Sequence, residues 1–322
     1  MPTRSLPLML STSLLFLNAA VLAAPEDAHE SRSGRVLMVG PGQEFANPSD
    51  AAMSARSGDT VRIAPGTYED CAIWPRKIEG LTIEGKDVII QNRSCGGKGI
   101  FVVDAFDVVI RGITFKGAKV RDHNGAGIRS EGRNLTVENS RFIDDENGIL
   151  SNNAPRSTII IRNSYFEGNG NCISSCAHGI YINHVAKLRV EGSEFVGTHE
   201  GHHIKSRAMR TELVNNDIHD GPNGDSSYLI DIPNGGDLLI TGNKLEKGPK
   251  AQNRTCAITI GEESVRRPGN PTSEIRIEDN TFVNDMSFGT IFVRNRSETA
   301  VALKGNKFQG SVTALQGPGN NG

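Results

Sequence analysis

Residues 198–210, THEGHHIKSRAMR, place His199, His202, His203, Lys205 and Arg207 within a single short segment. An imidazole titrates near neutrality and can take or return a proton, whereas ammonium and guanidinium groups hold a carboxylate and spread developing negative charge. One repeat earlier lie His178, Tyr181 and Asn183, and one repeat later Asp225 and Asp231. Together these are the parts for removing a proton next to a carboxylate: a base, a cation that stabilises the carbanion, and a phenol that can donate a proton to a leaving oxygen.

Such groups work together only if the fold brings them together, and a repeat supplies the means. The phrases VIRGITF (109–115), VENSRF (137–142), IRNSYF (161–166) and VEGSEF (190–195) recur, followed by VNNDI, ITGNKL, IEDNTF and LKGNKF. They end on Phe115, Phe142, Phe166, Phe195, Ile218, Leu245, Phe282 and Phe308, at intervals of 23 to 37 residues. Between them runs a second series: GIFV, GIRS, GILS, GIYI, HIKS, YLID, AITI and TIFV. Two markers in constant order predict stacked units, each too small to bury its own apolar side. The fold class is all-β, a parallel β-helix of about eight to ten coils. Gly and Asn corners can adopt positive φ and stack their amides.

In that register Ile128, Ile149, Ile180, Ile204 and Leu229 point inward, and Arg129, Leu150, Tyr181, Lys205 and Ile230 face out. Glu131, Asn152, Asn183 and Arg207 form the next outward line. Neighbouring coils are about 4.8 Å apart, so Tyr181 and Lys205 should be direct neighbours. Residues 49–57, SDAAMSARS, predict a short helix capping the first coil.

The opening VGPGQEF and GDTVRIAPGTY, with the NSxF-like corners, resemble exported bacterial right-handed parallel β-helix repeat proteins over about residues 36–312. That superfamily includes pectate lyases, alginate lyases, epimerases and many polysaccharide hydrolases. The resemblance implies a single-stranded right-handed helix and carries over no catalytic motif; fold alone does not choose chemistry.

A uronic-acid polymer suits the cationic surface. Lys205 or Arg207 would pair with the C5 carboxylate, His202 or His203 would remove the C5 proton, and Tyr181 would protonate the departing oxygen, giving β-elimination. Lysine as base is an alternative, and reprotonation of the same carbanion would give epimerisation. Arg207, His178, His199, Asn183, Arg129, Asp225 and Asp231 are the expected substrate contacts. Asp122, Asp144, Asp145, Asp220, Asp225 and Asp231 offer the carboxylates of a glycoside hydrolase instead. They also leave Ca²⁺ open as a cofactor, although no calcium motif is present. A noncatalytic glycan-binding envelope protein is the remaining alternative.

Residues 1–24, with Arg4 before an apolar stretch ending Ala23-Ala24, read as a secretory signal peptide. Residues 25–35 read as a flexible lead and 313–322 as a flexible tail. The expected setting is the periplasm or the outside, with no transmembrane anchor in a mature, monomeric chain. There the five cysteines can oxidise. Cys71 and Cys95 lie one repeat apart, Cys172 and Cys176 can close a short loop, and Cys256 is left over. A metal at the C-x3-C-x-H run ending on His178 is the other reading of that loop. Lys plus Arg total 35 against 37 Asp plus Glu, a net charge of −2, which gives no strong field for duplex nucleic acid or an anionic membrane and leaves only local Arg/Lys patches.

Overall fold

The computed structural model describes Met1 and residues 34–173, 175–264 and 269–321. The expected signal peptide and most of the flexible lead fall outside these residues. The described residues from 34 onward form one compact unit. That unit is a parallel β-helix. Each coil adds one strand to a ten-stranded sheet and, in most coils, two strands to a twenty-stranded sheet that bends around a corner. One coil runs through Ala126–Ser130, Arg133–Glu138 and Arg141–Ile143. The next runs through Asn147–Ser151, Ala154–Arg162 and Tyr165–Glu167.

The corner explains the recurring phrase. Asn139, Asn163 and Asn215 share it with Gly192, Gly242 and Gly305, all at positive φ. At Gly242 a side chain would strike the Asn215 amide one coil below, so glycine is required by space as well as by φ. The next residue of each phrase points inward and builds a ladder. Ser140 Oγ accepts the Ile113 amide at 3.4 Å, Ser164 accepts from Ser140 at 3.3 Å, and Ser193 from Ser164 at 3.1 Å. Asparagines then take over: Asn216, Asn243, Asn280 and Asn306 each accept the amide of the preceding rung at 2.8–3.1 Å. Every rung therefore satisfies a backbone donor that no strand partner can reach.

Beside the ladder, Phe115, Phe142, Phe166 and Phe195 stack with centroids 5.2, 4.6 and 4.4 Å apart. Their burial, with the Ile and Val of all the sheets, supplies the apolar column that a single coil lacks.

The helix at Pro48–Ser54 closes the first coil, starting a residue earlier than the sequence suggested because Pro48 suits the first helical position. The Asp50 carboxylate accepts the Asn47 amide at 3.1 Å, and Ala51 and Ala52 are buried against the core. At the other end the expected flexible tail is part of the stack: Val312–Gln316 pairs with Thr290–Asn295, and Gly319–Asn321 with Val301–Lys304. Cys71–Cys95 and Cys172–Cys176 are disulfides, and Cys256 is free and buried. Bonding consumes both thiols of the C-x3-C-x-H run, which removes the metal reading of that motif. Among the described residues no helix is long and apolar enough to cross a membrane.

Asn243→Ala should lower unfolding free energy by about 1–3 kcal/mol, because the buried Asn216 amide loses its acceptor. Denaturant titration checks this against Lys244→Ala, whose side chain is 78% exposed and which should change little.

Candidate functional site

The ten-stranded sheet carries the outward file at the centre of the site. Tyr181 pairs with Lys205 in register, as the repeat spacing predicts. The next step differs: Ile204 pairs with Ile230, and Lys205 with Asp231. The sequence reading had put Leu229 inward and Ile230 outward, one residue out of step. Tyr228 explains the shift, because its ring stacks on His202 at 5.1 Å and makes LIDI, rather than YLID, the counterpart of GIYI. Tyr181, Lys205 and Asp231 thus follow one another on three successive coils.

Lys205 Nζ lies 3.3 Å from Asp231 Oδ2 and 5.3 Å from the Tyr181 ring centroid. Arg207 Nε donates to Tyr181 Oη at 2.9 Å, so the phenol keeps its own proton to give elsewhere. Arg207 also donates to Asn234 Oδ1 at 2.5 Å and grips Glu263 with two bonds of 2.7 and 2.8 Å. Burial opposes the charge on Arg207, yet its bonds to Glu263 and Tyr181 raise its pKa above the ordinary value, making it a permanent cation. Asp231 has only 6% of its side chain exposed. An ion pair with Lys205 would by itself depress its pKa. Burial outweighs that pull and lifts Asp231 to about 6.

The histidines do not act as the sequence suggested. His203 is fully buried, with Nδ1 2.8 Å from Thr198 Oγ1 and Nε2 2.9 Å from Asp220 Oδ1. Burial lowers its pKa despite Asp220, while Asp220 is kept below its own usual value by the bond from His203 despite burial. This Thr–His–Asp chain resembles a catalytic relay, but all three residues are sealed from solvent and serve the core. His178 is also buried, which removes it as a substrate contact. Its Nδ1 accepts the His202 amide at 3.0 Å, and His202 Nδ1 accepts the Tyr228 amide at 3.1 Å. The rings stack at 4.7 Å, forming a second ladder. With Nδ1 engaged as acceptor, neutral His202 carries its proton on Nε2, which faces Asp231 at 3.4 Å. It therefore has no lone pair for a substrate proton and is not the base.

The other expected contacts disperse. His199 pairs with Asp225 at 3.3 Å at a preceding corner. Asn183 donates to Ser151 O at 2.6 Å as another rung between coils. Arg129 bonds Glu131 and is separated from Tyr181 by Leu150 along the file. Of the proposed hydrolase acids, Asp145 and Asp220 are buried and cannot flank a sugar, and Asp144 occupies a positive-φ turn. Asn234, Tyr228 and Glu263 complete the site and were missed. Glu263 comes from the segment after Gly261, fixed by its amide on Pro233 O at 2.9 Å and by Asn270 Nδ2 on the Arg207 and Ala208 carbonyls.

A profile described as the right-handed β-helix region matches residues 169–320. The chain belongs to the family described as periplasmic copper-binding protein (NosD), whose profile matches residues 55–225. Among solved structures it is similar to ORF18 of Geobacillus virus E2, at 15% identity and a TM-score of 0.50, covering 81% of this chain and 57% of that one. It is also similar to the mannuronan C-5 epimerase AlgE4 A-module of Azotobacter vinelandii, at 14% identity and a TM-score of 0.48, covering 85% and 93%. For the alginate lyase of Paenibacillus sp. the identity is 15% and the TM-score 0.43, covering 87% and 99%. These likenesses are of fold. No curated protein matches.

The family description raises copper, which favours thiolate, thioether and imidazole donors. Among the described residues no three His, Cys, Asp or Glu are grouped to hold a metal, whether copper or the calcium considered above. Four cysteines are in disulfides, His178 and His202 commit Nδ1 to backbone amides, and His203 commits both ring nitrogens to Thr198 and Asp220. The described residues do not fit a copper centre.

Burial lowers the pKa of both His178 and His202 well below the ordinary value, reinforced by Lys205 and other neighbouring groups. Their stabilising contribution is therefore complete above about pH 6.5 and is lost as pH falls below it. Asp231 works in the opposite sense, gaining its proton as pH falls through about 6. Thermal melts should show a shallower acid decline for His202→Asn than for the wild type; equal slopes would refute buried neutral imidazoles.

Proposed function

We propose that the chain binds a uronate-containing polysaccharide across the exposed file of the ten-stranded sheet and cleaves it by β-elimination. One observation carries this reading: a proton-donating phenol, an ammonium group backed by a carboxylate poised near 6, and a permanent guanidinium cation are held together on adjacent coils. Arg207, with Lys205 beside it, neutralises the C5 carboxylate and lowers the energy of the carbanion formed when the C5 proton leaves. Lys205 first passes an ammonium proton to Asp231 Oδ2, 3.3 Å away, and the amine lone pair so freed takes the C5 proton; the carboxylate is the net acceptor and the ammonium is restored. The C4–O bond breaks, a C4–C5 double bond forms, and Tyr181 Oη gives its proton to the leaving oxygen. His202 acts behind Asp231, pointing Nε2–H at the carboxylate. A periplasmic or extracellular setting agrees with the leader-like first 24 residues and with the family description.

Incubation with mannuronate, guluronate and galacturonate polymers tests the reading through ultraviolet absorbance of the unsaturated product and its mass. Change of C5 configuration without cleavage would redirect the same site to epimerisation. Binding without either change would make it a glycan-binding surface. For the lyase, Lys205→Ala and Tyr181→Phe should each lose at least about 10²-fold in kcat. Turnover should rise with pH through about 6 as Asp231 ionises, and Asp231→Asn should abolish that rise; an unchanged profile would remove Asp231 from the proton path.

A further inference from the structure

Glu263 already presents to Arg207 the group that the proposed substrate would present. Its carboxylate makes the two-pronged bond, 2.7 and 2.8 Å, that a guanidinium forms with any carboxylate, and its Oε1 lies 4.0 Å from Lys205 Nζ. The other face of Arg207 is committed to Tyr181 and Asn234. A uronate carboxylate approaching the same fork has no second prong available while Glu263 remains.

We infer that Glu263 is a specificity-determining residue: an internal carboxylate in the uronate subsite, which a ligand must displace by offering a carboxylate of its own. This rests on the uronate reading of the site and adds how that site selects. The backbone at Glu263 is fixed, with its amide on Pro233 O and Gly261 bonded to Ile232 O at 2.8 Å. The Glu263 side chain, by contrast, is 45% exposed. The carboxylate can therefore rotate into solvent without movement of the sheet. Exchange costs little for an acidic sugar, because one Arg–carboxylate pair replaces another. A neutral sugar must break the pair and offers nothing equivalent, so it is rejected. Around this fork Lys205 and Arg207 attract an anion, Glu263 and Asp231 repel it, and Tyr181 and Asn234 are neutral donors or acceptors.

Calorimetric titration of the full chain with oligomannuronate, oligoguluronate and oligogalacturonate, and with the same oligomers carboxyl-reduced to neutral sugars, tests the inference. Glu263→Gln should bind its acidic ligand about fivefold more tightly than wild type, the scale of one half-exposed ion pair. Its discrimination against the neutral oligomer should fall. Glu263→Asp, which keeps the charge but shortens its reach, should lie between the two. Equal or weaker binding of the acidic oligomer by Glu263→Gln, with its melting cooperative as in wild type, would overturn the competitor role while leaving the uronate site standing. If no acidic oligomer binds wild type or either variant, the uronate reading itself fails and the inference with it.

Discussion

The amide-to-side-chain ladder from Ile113 to Asn306 is the constraint on which the rest of the molecule depends. Each Ser or Asn holds one coil in a single register with the next, because slipping by one residue would leave a buried amide without an acceptor. The phenylalanine stack adds apolar burial but tolerates sliding better than a hydrogen bond does. Once register is fixed, residues far apart in sequence are delivered to one file on the opposite sheet. Tyr181, Lys205 and Asp231 meet for this reason and not through local sequence.

Across that file the charges are nearly balanced and, apart from the half-exposed Glu263, poorly hydrated. Two cations and two carboxylates lie over a stack of neutral rings, and the ring nitrogens bind backbone amides between coils. The imidazoles thus do for this corner what the asparagines do for the other: they hold register and stay uncharged. Had His178 or His202 been ionised, its nitrogen could not accept the amide, and it would add positive charge beneath Lys205. Neutrality of the rings and closeness of the cations are one arrangement viewed from two sides.

Much of this was legible beforehand. The two repeated phrases gave the β-helix and the Tyr181–Lys205 contact, since a stacked coil turns sequence interval directly into spatial adjacency, and the Ala-rich segment SDAAMSARS gave the capping helix. The alignment failed at YLID, where an apolar Leu229 looked equivalent to Ile204 although ring stacking of Tyr228 on His202 sets the phase. The histidines were misread because sequence position does not show whether a polar ring faces solvent or an amide of the next coil. His203 faces inward next to Thr198 and Asp220, a pairing hidden by its separation in the chain. Glu263 could not be placed at all, as it belongs to an excursion that obeys no repeat. The one signal was the long interval between Leu245 and Phe282, which marks extra chain at that coil.

That excursion leaves the stack after Ile260 and rejoins it at Ile275 in undisturbed register, with Ile240 opposite Ile277 and Leu245 opposite Phe282. The architecture thereby separates two jobs along the chain. Rungs and rings keep Tyr181, Lys205 and Asp231 at fixed spacing, while a detour tied down at its two ends supplies Glu263, the carboxylate paired with Arg207. A descendant could exchange this detour as a cassette and acquire a different ligand preference, with the underlying coil left untouched.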